Sequence, residues 1–210
     1  MTLFDLLKAK KGIGSNWYAK LVAKALDLPS EYERIAGIVY GASTYYLITD
    51  FKLSGADTVK FAFSATKACN VFGAYTKATA SDNYSLYVST ASSSKYLRYN
   101  GGTYSSFVPS AKLGERIDVT ITPTGSHGMP TDDTWEEQEF TASVDMCIGT
   151  TAVDASSSKL DGAMYGDFIV LGRFHGIPCK RKTDDTIGYY DTVSKTFYEP
   201  IGTNPTAIEN

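Results

Sequence analysis

The sequence predicts a mainly β protein: an antiparallel β-sandwich or jelly roll with a short helical arm ahead of it. Three observations carry that expectation. From about residue 33 onward, apolar residues recur at every second position. Turn-forming residues cut this part of the chain into about ten short segments. The composition suits strands and polar turns, with 15 tyrosines in 210 residues and serine plus threonine making about a fifth of the chain.

The first segment, residues 1–28, has a different character. Leu3, Phe4, Leu6 and Leu7 recur at helical spacing, and Gly12 and Gly14 interrupt the pattern. A second helical stretch places Leu21, Val22, Ala25 and Leu26 on one face and Lys20 and Lys24 on the other, with Ser15 or Asn16 as its cap. Pro29 ends it, because the residue before a proline avoids the helical region. The arm holds five lysines against Asp5 and Asp27, so the remaining residues carry a net −6. Helices this short fold poorly alone. The arm is therefore expected to anchor on a partner, with Leu3, Phe4, Leu7 and Trp17 as its contact residues.

Residues 29–210 form the second unit. Strands are expected at 34–38, 45–51, 59–63, 70–75, 84–89, 96–99, 117–122, 139–141, 144–148 and 163–170, each alternating or rich in β-branched and aromatic residues. Turn signals at 53–55, 81–83, 100–102 and 124–126 separate them.

Several function classes drop out. A net charge of −3 and a pI near 5.4 argue against a broad phosphate-binding surface, so no nucleic-acid partner is expected. No apolar run approaches the ~18 residues of a membrane-spanning helix, and no membrane insertion is expected. Asp5 interrupts the N-terminal apolar run and no basic segment precedes it, so that run does not read as a secretory signal. Cys69, Cys147 and Cys179 are too far apart for a zinc site and odd in number for a disulfide framework, which leaves them as buried thiols.

Residues 165–202 carry the most distinctive pattern. Phe174 leads to Pro178-Cys179 and the basic run Lys180-Arg181-Lys182. Then come Gly188-Tyr189-Tyr190-Asp191, Lys195-Thr196-Phe197-Tyr198 and Gly202-Thr203. This order resembles the ending of concanavalin A-like, laminin G-like jelly-roll domains in bacteriophage and prophage tail and minor structural proteins. Glu199-Pro200 replaces the family's asparagine-glycine at that place. Segments 45–50 and 71–74 resemble the family's earlier strands, and the first eleven residues resemble the start of short phage structural proteins. The resemblance implies a virion location, other virion proteins as partners of the arm, a homo-oligomer and host-surface polysaccharide as a ligand. Tyr189, Tyr190, Phe197 and Tyr198 would then close the sandwich against its first strand.

Candidate sites follow from residue chemistry. A sugar needs an aromatic face for its apolar side and polar groups for its hydroxyls, which points to Tyr84, Tyr96, Arg98 and Trp135. No cofactor is expected, although the acidic loop with Asp132, Asp133 and Glu136 supplies hard oxygen ligands for calcium. No catalytic residue is assigned. His175 and Cys179 would share a face of a strand, but Gly176 and Pro178 are expected to bend the chain between them, leaving an exposed histidine and a structural thiol. The run Glu136-Glu137-Gln138-Glu139 lacks the alternation of a one-strand glycanase motif. The expected function is a phage virion protein displaying a lectin-like jelly roll for attachment or decoration. The alternatives are a polysaccharide-degrading enzyme and a ligand-free structural protein.

Overall fold

A computed structural model describes residues 28–41, 46–76, 82–88, 94–99, 102–107, 113–128, 133–151, 159–202 and 205–210. The expected helical arm, with Leu3, Phe4, Leu7 and Trp17, lies outside the described residues. The rest is mainly β and antiparallel, in two sheets. Among the described residues no helix is long and apolar enough to cross a membrane.

The larger sheet is built on β4 (Val59–Ala65), β9 (Ile117–Thr122), β13 (Gly162–Val170), β14 (Phe174–Arg181), β15 (Ile187–Asp191) and β16 (Thr196–Tyr198). Beyond β9 it continues through β10 (Gly125–His127) to β11 (Asp133–Thr134). Three further strands join it: β1 (Tyr32–Arg34) on β14, β2 (Gly37–Tyr40) on β13 and β17 (Thr206–Ile208) on β2. The smaller sheet runs in the order β3 (Leu47–Ile48), β12 (Cys147–Ile148), β5 (Cys69–Ala74), β6 (Tyr84–Val88), β7 (Ser94–Tyr99) and β8 (Gly102–Phe107).

Alternation explains how the sheets meet. In β4 the residues Val59, Phe61 and Phe63 face inward, so Lys60 and Ala62 face out. Phe61 meets Phe72 of the smaller sheet with ring centroids 4.8 Å apart, and Phe168 of β13 meets the same ring at 5.3 Å. Edge-on packing of this kind suits the quadrupoles of aromatic rings. Leu47, Leu86, Ile148, Met164, Val170, Tyr189 and Tyr198 complete the core.

The segment expected as one strand at 34–38 is two strands. β1 pairs with β14 from Tyr32↔Arg181 to Arg34↔Cys179, and β2 pairs with β13 from Gly37↔Tyr165 to Tyr40↔Gly162. The chain crosses between them because β13 and β14 pair only over 168–170 and 174–176 and then part. Pro178 marks the crossing. It has no N–H to give, and its carbonyl accepts the Ile35 N–H at 3.1 Å where the neighbouring strand is interrupted. Contrary to expectation, Gly176 and Pro178 do not bend the chain, since β14 runs through both.

Of the four C-terminal aromatics expected to close the sandwich, two do so and two do not. Tyr189 and Tyr198 are core residues, and the Tyr198 hydroxyl donates to the Asp50 carboxylate just after β3. Tyr190 and Phe197 pack instead on the opposite face of the sheet, around the ring of Tyr32 at 5.1 and 5.0 Å. The basic run is pinned rather than freely solvated. Arg181 pairs with Asp184 at 2.6 Å and with Glu199, and Lys182 donates to the Ser30 carbonyl at 2.7 Å.

The three thiols are buried and unbridged. Burial pushes Cys147 and Cys179 up to about 12, with the Asp145 carboxylate adding to the rise at Cys147. Because the thiolate is the reactive form, the folded protein is expected to resist Ellman's reagent at pH 8, whereas in guanidinium chloride every thiol reacts. Fast labelling of any thiol in the native state would contradict this packing.

Candidate functional site

The structure redistributes the residues predicted to bind sugar. Tyr84 is fully buried, 0% exposed, between Phe72 and Phe140, so its ring belongs to the core and no face remains for a sugar. Trp135 is partly buried against the same core, and its backbone N–H donates to the Thr124 carbonyl at 3.0 Å. Tyr96 and Arg98 stand opposite Tyr87 and Ser85 in the β6–β7 register, and their side chains lie outside the described residues. Asp132 lies outside the described residues as well, Asp133 pairs with Ser126 through the backbone, and Glu136 is exposed. Among the described residues no three His, Cys, Asp or Glu side chains converge on a cation position.

A groove of about 390 Å³ lies elsewhere, on the outer face of the larger sheet. Its origin is the side-chain pattern of four strands. Cross-strand partners share a face. The register therefore lines up His127, Thr120, Lys60 and Ile169 in one row across β10, β9, β4 and β13. The next row holds Asp118, Ala62 and Tyr165. Ala62 is the smallest of these, so the sheet face dips there between longer neighbours, and Arg116 closes one end.

A bulge in β13 supplies the last wall. The β4–β13 register shifts between Tyr165 and Ile169, with Gly166 at φ +63°, a left-handed conformation that favours glycine. Asp167 consequently lies among the groove residues. Its carboxylate takes Arg34 Nη2 at 2.5 Å and His175 Nε2 at 2.8 Å. Burial alone would raise the Asp167 pKa, but the His175 hydrogen bond and the Arg34 charge outweigh it and hold the carboxyl below its usual range. These contacts join β1, β13 and β14 at the fork where β13 and β14 part. The side chain of His175 is only 17% exposed, which corrects the expectation of an exposed histidine.

The groove's polar groups are distinct in state. Arg116 pairs with Asp118 at 2.8 Å, and both are solvent-facing. The Arg116 guanidinium lies 5.3 Å from the Tyr165 ring centre, and the Tyr165 hydroxyl shares a 3.1 Å hydrogen bond with Ser64 Oγ. Tyr165 is thus held in one orientation with part of its surface exposed. Thr120 offers a hydroxyl, Asp118 and Asp167 offer acceptors, and Ile169 offers an apolar surface. Sequence reasoning missed this set because its members are 109 positions apart at the extremes, Lys60 to Ile169. The alternation of residues 59–63 does mark Lys60 and Ala62 as sharing a face, but not what lies beside them.

No protein-family model matches the chain and no curated protein sequence matches it, so its functional reading rests on the fold and on this groove.

Proposed function

We propose that the chain is a bacteriophage virion protein with a lectin-like domain, a β-sandwich of concanavalin A-like jelly-roll type that attaches the particle to host-surface glycan. The observation that carries this reading is the outer-face groove. An oriented tyrosine, a threonine hydroxyl, two carboxylates, an isoleucine and a lysine around one small-residue floor match what a sugar asks of a site. The ordered likeness of residues 165–202 to phage jelly-roll endings supports the fold and the virion setting. Those residues run from β13 to β16 and hold one flank of the larger sheet. Arm-mediated assembly into a homo-oligomer with other virion proteins would multiply a weak single-site affinity. The reading needs no cofactor.

The enzymatic alternative has one structural feature to weigh. Asp118 and Asp167 both line the groove, and a glycosidase uses two carboxylates, one of them protonated at working pH. Asp167 is held below its usual range by His175 and Arg34, so it is not set up as the acid, and Asp118 already pairs with Arg116 at 2.8 Å. Glycan-array binding by the full chain, with an assay for released reducing ends, separates the readings. The expected result is binding without release. Release of sugar would support the enzyme, and no binding would leave a structural or decoration protein. Deleting residues 1–28 is expected to leave a soluble β protein that no longer incorporates into particles, and incorporation of the shortened chain would contradict the anchoring role.

A further inference from the structure

We infer that the groove prefers an acidic sugar, a uronic-acid type residue whose carboxylate is held by Lys60; this rests on the glycan-binding reading above. From β9, Asp118 faces the groove but is matched by Arg116 at 2.8 Å. From β13, Asp167 is matched in charge by Arg34 at 2.5 Å and is hydrogen-bonded to His175 Nε2 at 2.8 Å. From β10, His127 lies at the far end of the row. From β4, Lys60 is exposed and makes no ion pair with any described residue. The carboxylates around it are already satisfied, so the lysine contributes an uncompensated positive charge at this spot on a chain of net −3.

The neighbours of Lys60 fix the kind of anion. Thr120 is its register partner on one side and Ile169 on the other. A hydroxyl and an apolar surface thus flank one ammonium. A pyranose uronate presents the matching set: one carboxylate, ring hydroxyls and an apolar C–H face. A phosphate dianion is best held by several donors or a guanidinium fork, and the Arg116 guanidinium is already paired with Asp118, so the single charge that Lys60 offers is matched by a monoanion.

The test compares tetragalacturonate with its methyl ester, which keeps the ring and hydroxyls and removes the charge. Calorimetry on the full chain at low salt is expected to give binding of the acid at least ~10-fold tighter than of the ester, a difference that one charge-assisted contact supports. Lys60→Gln should bring the acid down to the affinity of the ester and leave the thermal midpoint unchanged, because the side chain faces solvent. Lys60→Arg should retain the preference. Equal affinities for acid and ester, no binding of the acid, or a Lys60→Gln variant that keeps the preference would each overturn the inference. Measurable and equal affinities would do so while leaving the glycan-attachment reading intact; an empty glycan array would remove that reading itself.

Discussion

Phe72→Ala is expected to destabilise the fold by about 3–5 kcal/mol, the largest effect of any single truncation proposed for this chain. Phe72 is 0% exposed and is a ring at which the two sheets touch, with Phe61 and Phe168 on one side and Tyr84 on its own sheet. Its strand partners, Ile148 and Leu86, are fully buried too, so the surrounding backbone is paired on both edges and cannot collapse into the void. Domains of this kind are stable by about 5–15 kcal/mol in total. The midpoint of thermal unfolding should therefore fall by roughly 6–20 °C, read by circular dichroism. A fall of less than about 3 °C would mean that the sheets are not joined through this ring.

Asp191→Ala is expected to cost about 2–4 kcal/mol, through hydrogen bonds rather than volume. The carboxylate is buried at the end of β15. One oxygen accepts the His175 N–H at 2.8 Å and the Val193 N–H at 3.0 Å, and the other accepts the Ser194 N–H at 3.0 Å. It shapes the 192–195 turn, where Lys195 takes a φ of +62°, and it ties that turn to β14. Truncation leaves these donors without their acceptor. Burial alone would raise the Asp191 pKa, but the hydrogen bonds from Ser194, His175 and Val193 outweigh it and hold the group below its usual value.

The sign of the pH effect follows. The folded state binds this proton less readily than the unfolded chain does, so the stabilisation is fully present above the ordinary carboxylate value near 3.8 and is lost as pH falls through the lower folded value. Urea unfolding at pH 7 should separate wild type from Asp191→Ala widely, and the gap should narrow below pH 4. A gap independent of pH would show that the carboxylate's charge plays no part.

The parts of the fold legible in the sequence were those whose alternation faces one core. Residues 117–122 were expected as a strand and form β9 with those bounds, because Val119 and Ile121 face inward between polar neighbours. Residues 59–63 and 163–170 likewise fall within β4 and β13. Residues 139–141 were not legible. Their β-like composition reflects Phe140 packing on the core, while the backbone makes only an isolated bridge from Thr141 to Ser54. The loop at 53–58 hides a further tertiary feature: Asp57 is buried and takes Arg173 Nη1 at 2.7 and 2.8 Å, a pairing between residues 116 apart that no local pattern encodes.

The site was less legible than the fold, for a related reason. Alternation says which residues share a face, but not which face is the core. The tyrosine ring of Tyr84 suits a sugar platform by type, yet Leu86 and Val88, two and four residues on, mark its face as the inner one. The groove needs the register of β9, β4 and β13 and the bulge at Gly166, and the fork beside it needs β1 and β2 to part around Pro178. Asp167 and His175 acquire their roles only through that fork.

Glycan binding at the outer-face groove, as proposed above, places Thr120 against the ligand. Thr120→Trp tests it most directly. Thr120 sits on the groove floor beside Lys60, faces away from the core, and lies on a strand that accepts an aromatic as readily as a β-branched residue. On a glycan array carrying uronate-rich and neutral polysaccharides, the wild-type chain is expected to bind and the Thr120→Trp chain to lose at least ~10-fold in affinity, with its thermal midpoint within a few degrees of wild type. Undiminished glycan binding by a folded Thr120→Trp chain would contradict the account.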